Sequence, residues 1–293
     1  FGLKMCNDMW SDQNLCDGIL EAALPRCNRE SLMDKFDQVI SLDSPERLEE
    51  QSTNWSPRWP RVESWCQAVD FVPEDMCPHW RPNRDDILFA NVYLHKHGLT
   101  PKEFIAVHWD CDPGLFHKRY RHRQSLVRLL AKRYPVLVLH KFKPHHTDDQ
   151  LGQMLTNLPN NVVVELGFDL RQLGAVLGMA KACVGPDSAL LHYSAAVGIP
   201  FLGLFGPTNG EVATRHYPLA HYMQGPIDPT WNCNKTAPCY GVSERNFWCF
   251  SNPALGGECM DRIRPEDVAA TAVQYMMENT WLLKVTIGTQ CLI

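Results

Sequence analysis

From Lys102 onward, short uninterrupted apolar runs alternate with segments whose apolar residues recur every three or four positions. The runs FIAVHW (104–109), PVLVLHKF (135–142), NVVVEL (161–166), ACVG (182–185) and PFLGLFG (200–206) predict strands buried on both faces. Between them, HRQSLVRLLAKRY (122–134) sets Leu126, Leu129 and Leu130 along one side of a helix. TDDQLGQMLTNL (147–158) predicts a helix opened by Thr147 or Asp148, and DLRQLGAVLGMAK (169–181) one capped by Asp169. A short helix rich in small residues follows Asp187. Strands and helices in strict alternation predict an α/β domain with a parallel sheet, which binds ligands beyond the C-terminal ends of its strands.

The pattern is weaker elsewhere. FDQVISLD (36–43) predicts a strand, and the polar, proline-broken and Trp-rich stretch after it predicts loop with a short helix. DDILFANVYLHKHG (85–98) predicts a helix with an apolar side of Ile87, Leu88, Val92 and Leu94, stopped by Gly98. After Gly210 the alternation stops, and residues 211–263 predict an extended loop region. RPEDVAATAVQYMMENTW (264–281) predicts a closing helix, with Pro265 in its first turn beside two acids.

Composition adds exclusions rather than an assignment. A chain of 293 residues has room for two domains, and 45% hydrophobic with 21% charged residues suits a globular enzyme. A net charge of −5 argues against nucleic acid as a partner. No apolar run approaches the roughly 20 residues of a membrane-spanning helix, and FGLKMCNDMWSDQN lacks the apolar stretch of a secretory signal. The expectation is a cytoplasmic protein.

The 12 cysteines do not form a metal motif. Cys233, Cys239, Cys249 and Cys259 cluster, but no C-x-x-C pair occurs among them, so no metal is expected. Reduced packing thiols or a redox-labile pair fit better. The sequons at Asn54 and Asn234 carry no weight without a secretory signal.

One stretch concentrates the chemistry: CVGPDSALLHYSAAVGIPFLGLFGPT, residues 183–208. Pro186 ends a strand. Asp187 suits an N-cap, accepting from Leu190 or a neighbour, which makes the amides of Ser188, Ala189 and Leu190 first-turn donors without helical partners. A phosphate or diphosphate fits such a helix start. His192 lies one turn beyond Ser188 on the same face. The second strand end, LFGPT, brings Thr208 and its hydroxyl to the same sheet edge.

The same stretch resembles the donor-site motif of glycosyltransferase family nine, the ADP-heptose:lipopolysaccharide heptosyltransferases and their relatives. Its motif runs G-x-D-[ST]-G-x-x-H-x-A-A-A-x-G-x-P into a strand ending F-G-x-T. FIAVHW with the basic loop and helix after it, and CYG…WCF…ECMDRIRPEDVAATAV, extend the resemblance over about residues 100–281. It implies a GT-B architecture of two Rossmann-like domains facing a cleft. Residues 1–100 would form an incomplete or divergent acceptor-side domain, and 101–293 the donor domain.

The implied reaction moves heptose or another hexose-like sugar from a nucleotide diphosphate, ADP in the best-known members, to a glycan or lipid-linked hydroxyl. Transfer would be inverting, with no metal or cofactor, in lipopolysaccharide biosynthesis and with peripheral membrane association as a corollary. By position, Asp187, Ser188, Ala189, Leu190, His192 and Thr208 fall on the donor site. Lys118 falls on a phosphate-contacting lysine, and Phe168 and Asp169 on the loop beside the nucleoside. The sequence departs from the motif at Ala189, where the family has glycine, and it shows no Gly-Asp turn to supply the base. Asp12 and Asp17 are the acids nearest that role, with Asp12 and His192 the catalytic candidates. The alternatives are a non-catalytic nucleotide-sugar-binding protein that lacks the base, and an epimerase or hydrolase of the same architecture.

Overall fold

A computed structural model describes residues 60, 62–63, 66–67, 70–109, 111, 118–140, 156–225 and 258–278. Six strands form one sheet: β1 (Ile105–His108), β2 (Val136–Leu139), β3 (Val162–Glu165), β4 (Ala182–Pro186), β5 (Phe201–Phe205) and β6 (Ala220–Gln224). Their order across the sheet is β3-β2-β1-β4-β5-β6, and every neighbouring pair is parallel. The chain winds outward one way from β1 through β2 to β3, then returns to the centre and winds the other way from β4. The order therefore reverses between β1 and β4, where doubly wound sheets open a crevice at their C-terminal ends.

Alternate residues of each strand feed one of two cores. Ile105, Val107, Val136, Val138, Leu202 and Leu204 face α2 (Arg123–Ala131) and α7 (Pro265–Glu278). Ala106, Leu137, Leu139, Cys183 and Phe201 face α1 (Arg84–Lys96), α3 (Leu170–Gly178) and α4 (Ala189–Ala196). Covering both faces is why the strands read as unbroken apolar runs. The predicted α/β class, the strands at 104–109, 182–185 and 200–206, and the Asp169 cap are all present. Asp169 and Gln172 form a reciprocal capping box.

Two expectations need correction. Ile87, Leu88 and Val92 do not face the core; they are 41%, 62% and 60% exposed. The buried side of α1 is Asp86, Ala90, Tyr93 and Leu94. Its apolar residues lie on several sides, so periodicity alone does not orient it. An ion pair does: Arg171 of α3 donates from Nε and Nη2 to the two carboxylate oxygens of Asp86, at 3.1 and 2.7 Å. This helix belongs to the same core as β1.

The second correction concerns residues 211–263. The sheet does not stop at β5, because α5 (Gly210–Thr214) returns the chain to β6, which pairs with β5 over five residues. AHYMQ is an edge strand with exposed His221 and Tyr222, so it lacks the apolar run that marks the inner strands. The strand predicted at 36–43, residues 147–155 of the helix predicted at 147–158, Asp12, Asp17, Asn54, Asn234, Cys233, Cys239 and Cys249 lie outside the described residues, and residues 156–158 are turn and coil rather than helix. Cys259 lies on α6 (Glu258–Asp261).

Candidate functional site

Three loops converge where the strand order reverses. The first leaves β1 at His108 and reaches Lys118. The second joins β4 to α4 through Asp187 and Ser188. The third leaves β5 and carries Thr208.

Asp187 is not the N-cap that the sequence suggested. Its backbone N–H donates to Leu204 O at 3.1 Å, extending the β4–β5 ladder by one residue. Its carboxylate turns away from the helix: Oδ2 accepts from Lys118 Nζ and from Thr208 Oγ1, each at 2.7 Å. Both side chains of the ion pair are mostly buried, at 14% and 12% exposure. Lys118 is thus bound into the site rather than a solvated surface lysine. The Thr208 hydroxyl expected to face a ligand is donated to Asp187 instead.

The N-cap is Ser188, one residue later, with extended backbone at φ −160° and ψ 176°. Its hydroxyl makes no capping bond and lies 2.8 Å from His108 Nδ1. The Leu191 N–H reaches Ser188 O at 3.1 Å, whereas the N–H groups of Ser188, Ala189 and Leu190 have no partner among the described residues. Ala189 is exposed. Three peptide donors without a described partner and the positive end of the α4 dipole therefore lie at the loop whose Asp187 holds a partly buried lysine.

Alanine replaces the family glycine at 189 without strain, since Ala189 opens the helix and is absent from the positive-φ residues.

His192 is exposed, one turn along α4, and its Nδ1 lies 2.5 Å from the Tyr217 hydroxyl. Burial, with a smaller contribution from Cys77, pushes that hydroxyl up to about 12, so Tyr217 is protonated at neutral pH. In the preceding residue, His216 Nε2 lies 2.6 Å from Glu63 Oε1, and Arg215 bonds both Glu63 and Glu211. Glu63, in the described N-terminal segment, lies against His216 and Arg215. Phe168 packs its ring on Phe89 and Tyr93, with centroids 5.8 and 4.8 Å away. Asp169 next to it is committed to its helix cap.

Two residues escaped the sequence reading. His108 was legible in principle, as the polar residue ending an apolar strand at the ligand-binding edge. Gln224 was not, because its strand was not recognised. Its amide nitrogen donates to Gly206 O, Thr208 O and Phe205 O at 2.7, 3.1 and 3.3 Å, while its oxygen accepts from Gly210 N–H at 3.0 Å. One side chain thereby fixes the loop that presents Thr208 to Asp187. Gln224→Leu would take this partner from Gly206 O, Thr208 O and Gly210 N–H, whereas Phe205 O keeps the Gly225 N–H, at roughly 1–3 kcal/mol for each group that stays buried. We expect a loss of about 3 kcal/mol of stability by denaturant unfolding.

Residues 120–236 match glycosyltransferase family 9 (heptosyltransferase), a span that contains Asp187, Ser188, His192, Thr208 and Gln224. Over that span the chain is similar to the family 9 glycosyltransferases. It is 31% identical over 121 residues to lipopolysaccharide heptosyltransferase 1 of Pseudomonas aeruginosa, covering 41% of this chain and 34% of the relative. The chain thus spans about a third of the curated relative it matches.

ADP-heptose lipopolysaccharide heptosyltransferase II of E. coli shares the fold of the family 9 domain. Its TM-score is 0.53 at 16% identity, covering 75% of this chain and 63% of that one. The family 9 glycosyl transferase of Veillonella parvula gives 0.55 at 16% identity, covering 75% and 61%. These likenesses bear out the expected fold class for the described sheet: α/β of the GT-B type. No described helix is long and apolar enough to cross a membrane.

Proposed function

We propose that the family 9 domain binds the diphosphate of a nucleotide sugar at the start of α4, and that the whole protein transfers the sugar to a hydroxyl acceptor. The observation that carries this reading is the set of unpartnered N–H groups of Ser188, Ala189 and Leu190 at the strand-order reversal. A departing diphosphate develops negative charge, and fixed dipoles aimed at that charge lower the barrier. Lys118 adds a cation next to the same loop. With amides and a lysine supplying the positive charge, the transfer needs no metal in this reading.

The donor is an ADP-linked or related nucleotide sugar carrying heptose or a similar hexose. The acceptor is a glycan or lipid-linked hydroxyl, as the name of the Pseudomonas relative suggests for lipopolysaccharide. Residues 1–100 supply the acceptor side. A carboxylate there, with Asp12 the candidate, takes the acceptor proton as inverting displacement proceeds. Cytoplasmic work at a membrane surface suits a nucleotide donor and a lipid-linked acceptor.

A thermal-shift screen of nucleotide sugars tests the binding half. A donor at a hundred times its dissociation constant should add about 2.7 kcal/mol of apparent stability. Labelled donor then tests transfer, the anomeric configuration of the product tests inversion, and EDTA treatment should leave the rate unchanged. If no nucleotide sugar binds or turns over, the transferase reading is wrong. Binding without transfer or hydrolysis would instead identify a binding protein that lacks a base.

A further inference from the structure

The described helices α1, α3 and α5 close their own first turns. Asn83 and Asp169 make reciprocal capping boxes, and the Asn209 side chain accepts from Val212 N–H. The helix α4 does not, although Ser188 is a favoured capping residue and has the extended backbone that capping requires. Both side chains able to fill the helix start are held elsewhere. Lys118 and Thr208 hold Asp187, and His108 holds the Ser188 hydroxyl.

The contact from His108 crosses the strand-order reversal, from the end of β1 to the second residue after β4. It depends on Gly185, whose missing Cβ leaves room for the imidazole stem. An added methyl would sit 2.6 Å from His108 Cβ.

We propose that His108 is a positioning residue that stops Ser188 from capping its own helix and so keeps the three peptide donors open to an anion. In either tautomer the imidazole fixes Oγ away from the first turn. Without it the hydroxyl rotates onto the Leu190 or Leu191 N–H, as capping serines do, and competes with the ligand. This proposal rests on the diphosphate reading above.

The competition gives a result that simple loss of a contact does not. Titration calorimetry of the full chain with ADP and with inorganic pyrophosphate compares wild type, H108A, H108N, S188A and H108A/S188A. H108A should bind about tenfold more weakly. H108N, whose amide reaches the position of Nδ1, should bind within about threefold of wild type. Adding S188A to H108A should recover most of the lost affinity, because the competing hydroxyl is gone. If wild type binds and H108A equals it, or if the double variant binds no better than H108A, His108 does not act this way and the diphosphate site stands. Should H108A fail to fold, failure of H108N to retain affinity overturns the proposal equally. If wild type binds neither probe, the diphosphate reading itself falls and takes this inference with it.

Discussion

Lys118→Met is expected to reduce sugar transfer at least about 100-fold, with the larger part of the loss in kcat. A cation that neutralises charge forming on a leaving group acts mainly in the transition state, and removing one such donor costs about 10²–10³ in rate. The substitution has a second consequence. Asp187 keeps only the Thr208 hydroxyl as a described partner for Oδ2, in a position 12% exposed. Breaking a buried pair from one side destabilises by roughly 3 kcal/mol. Because some water reaches this pair, about 2 kcal/mol is the better expectation, or a fall in Tm of roughly 4–8 °C for a domain of this size.

The two effects separate cleanly. Steady-state kinetics on folded K118M, with the melt measured alongside, distinguishes lost chemistry from lost protein. A K118M variant that turns over within threefold of wild type would remove Lys118 from the reaction. Asp187→Asn in the same background should recover part of the stability but none of the rate, because it removes the stranded charge without restoring a cation.

Gly185→Ala should produce the largest combined loss. Gly185 pairs with Gly203 across β4 and β5, and a Cβ on it would lie 2.6 Å from His108 Cβ and 3.4 Å from its Cα. The nearest of these atoms belong to the backbone and stem of a neighbouring strand, so no flexible tip can swing aside. Overpacking of this kind costs about 1–3 kcal/mol, and the upper half of that range applies to a strand pair at the centre of the sheet. The displaced His108 would also release Ser188, so affinity for ADP should drop along with stability. Chemical denaturation and titration of the same preparation measure both. A G185A protein as stable as wild type would show that β1 and β4 are not so closely apposed.

Much of the domain was readable from pattern alone, for a physical reason. A strand covered on both faces must be apolar throughout, and that signal survives without knowledge of the fold. The inner strands β1, β2, β4 and β5 and the caps at Asp169 and Pro265 all express local rules. A helix start after Pro186 was also legible, because Pro186 ends a strand and small residues follow, but its cap was read at Asp187, one residue before the Ser188 that the structure shows. Pattern failed at two elements that meet solvent, although it found the other edge strand, β3, and the amphipathic α2. The edge strand β6 alternates too weakly to stand out, and α1 carries apolar residues on several sides, so a single ion pair from Asp86 to Arg171 decides which side is buried.

The sequence by itself determined the alternating architecture, the helix start after Pro186 and the family motif around it. Each follows from backbone preferences and hydrophobic periodicity within a few residues. Only the tertiary structure decided what the side chains there do. Lys118 is 69 residues from Asp187, and His108 is 80 from Ser188. No local rule can assign those partners. Once the sheet brings β1 beside β4, Asp187 gives up the cap that its own neighbours offered, and the donors it would have covered have no partner among the described residues.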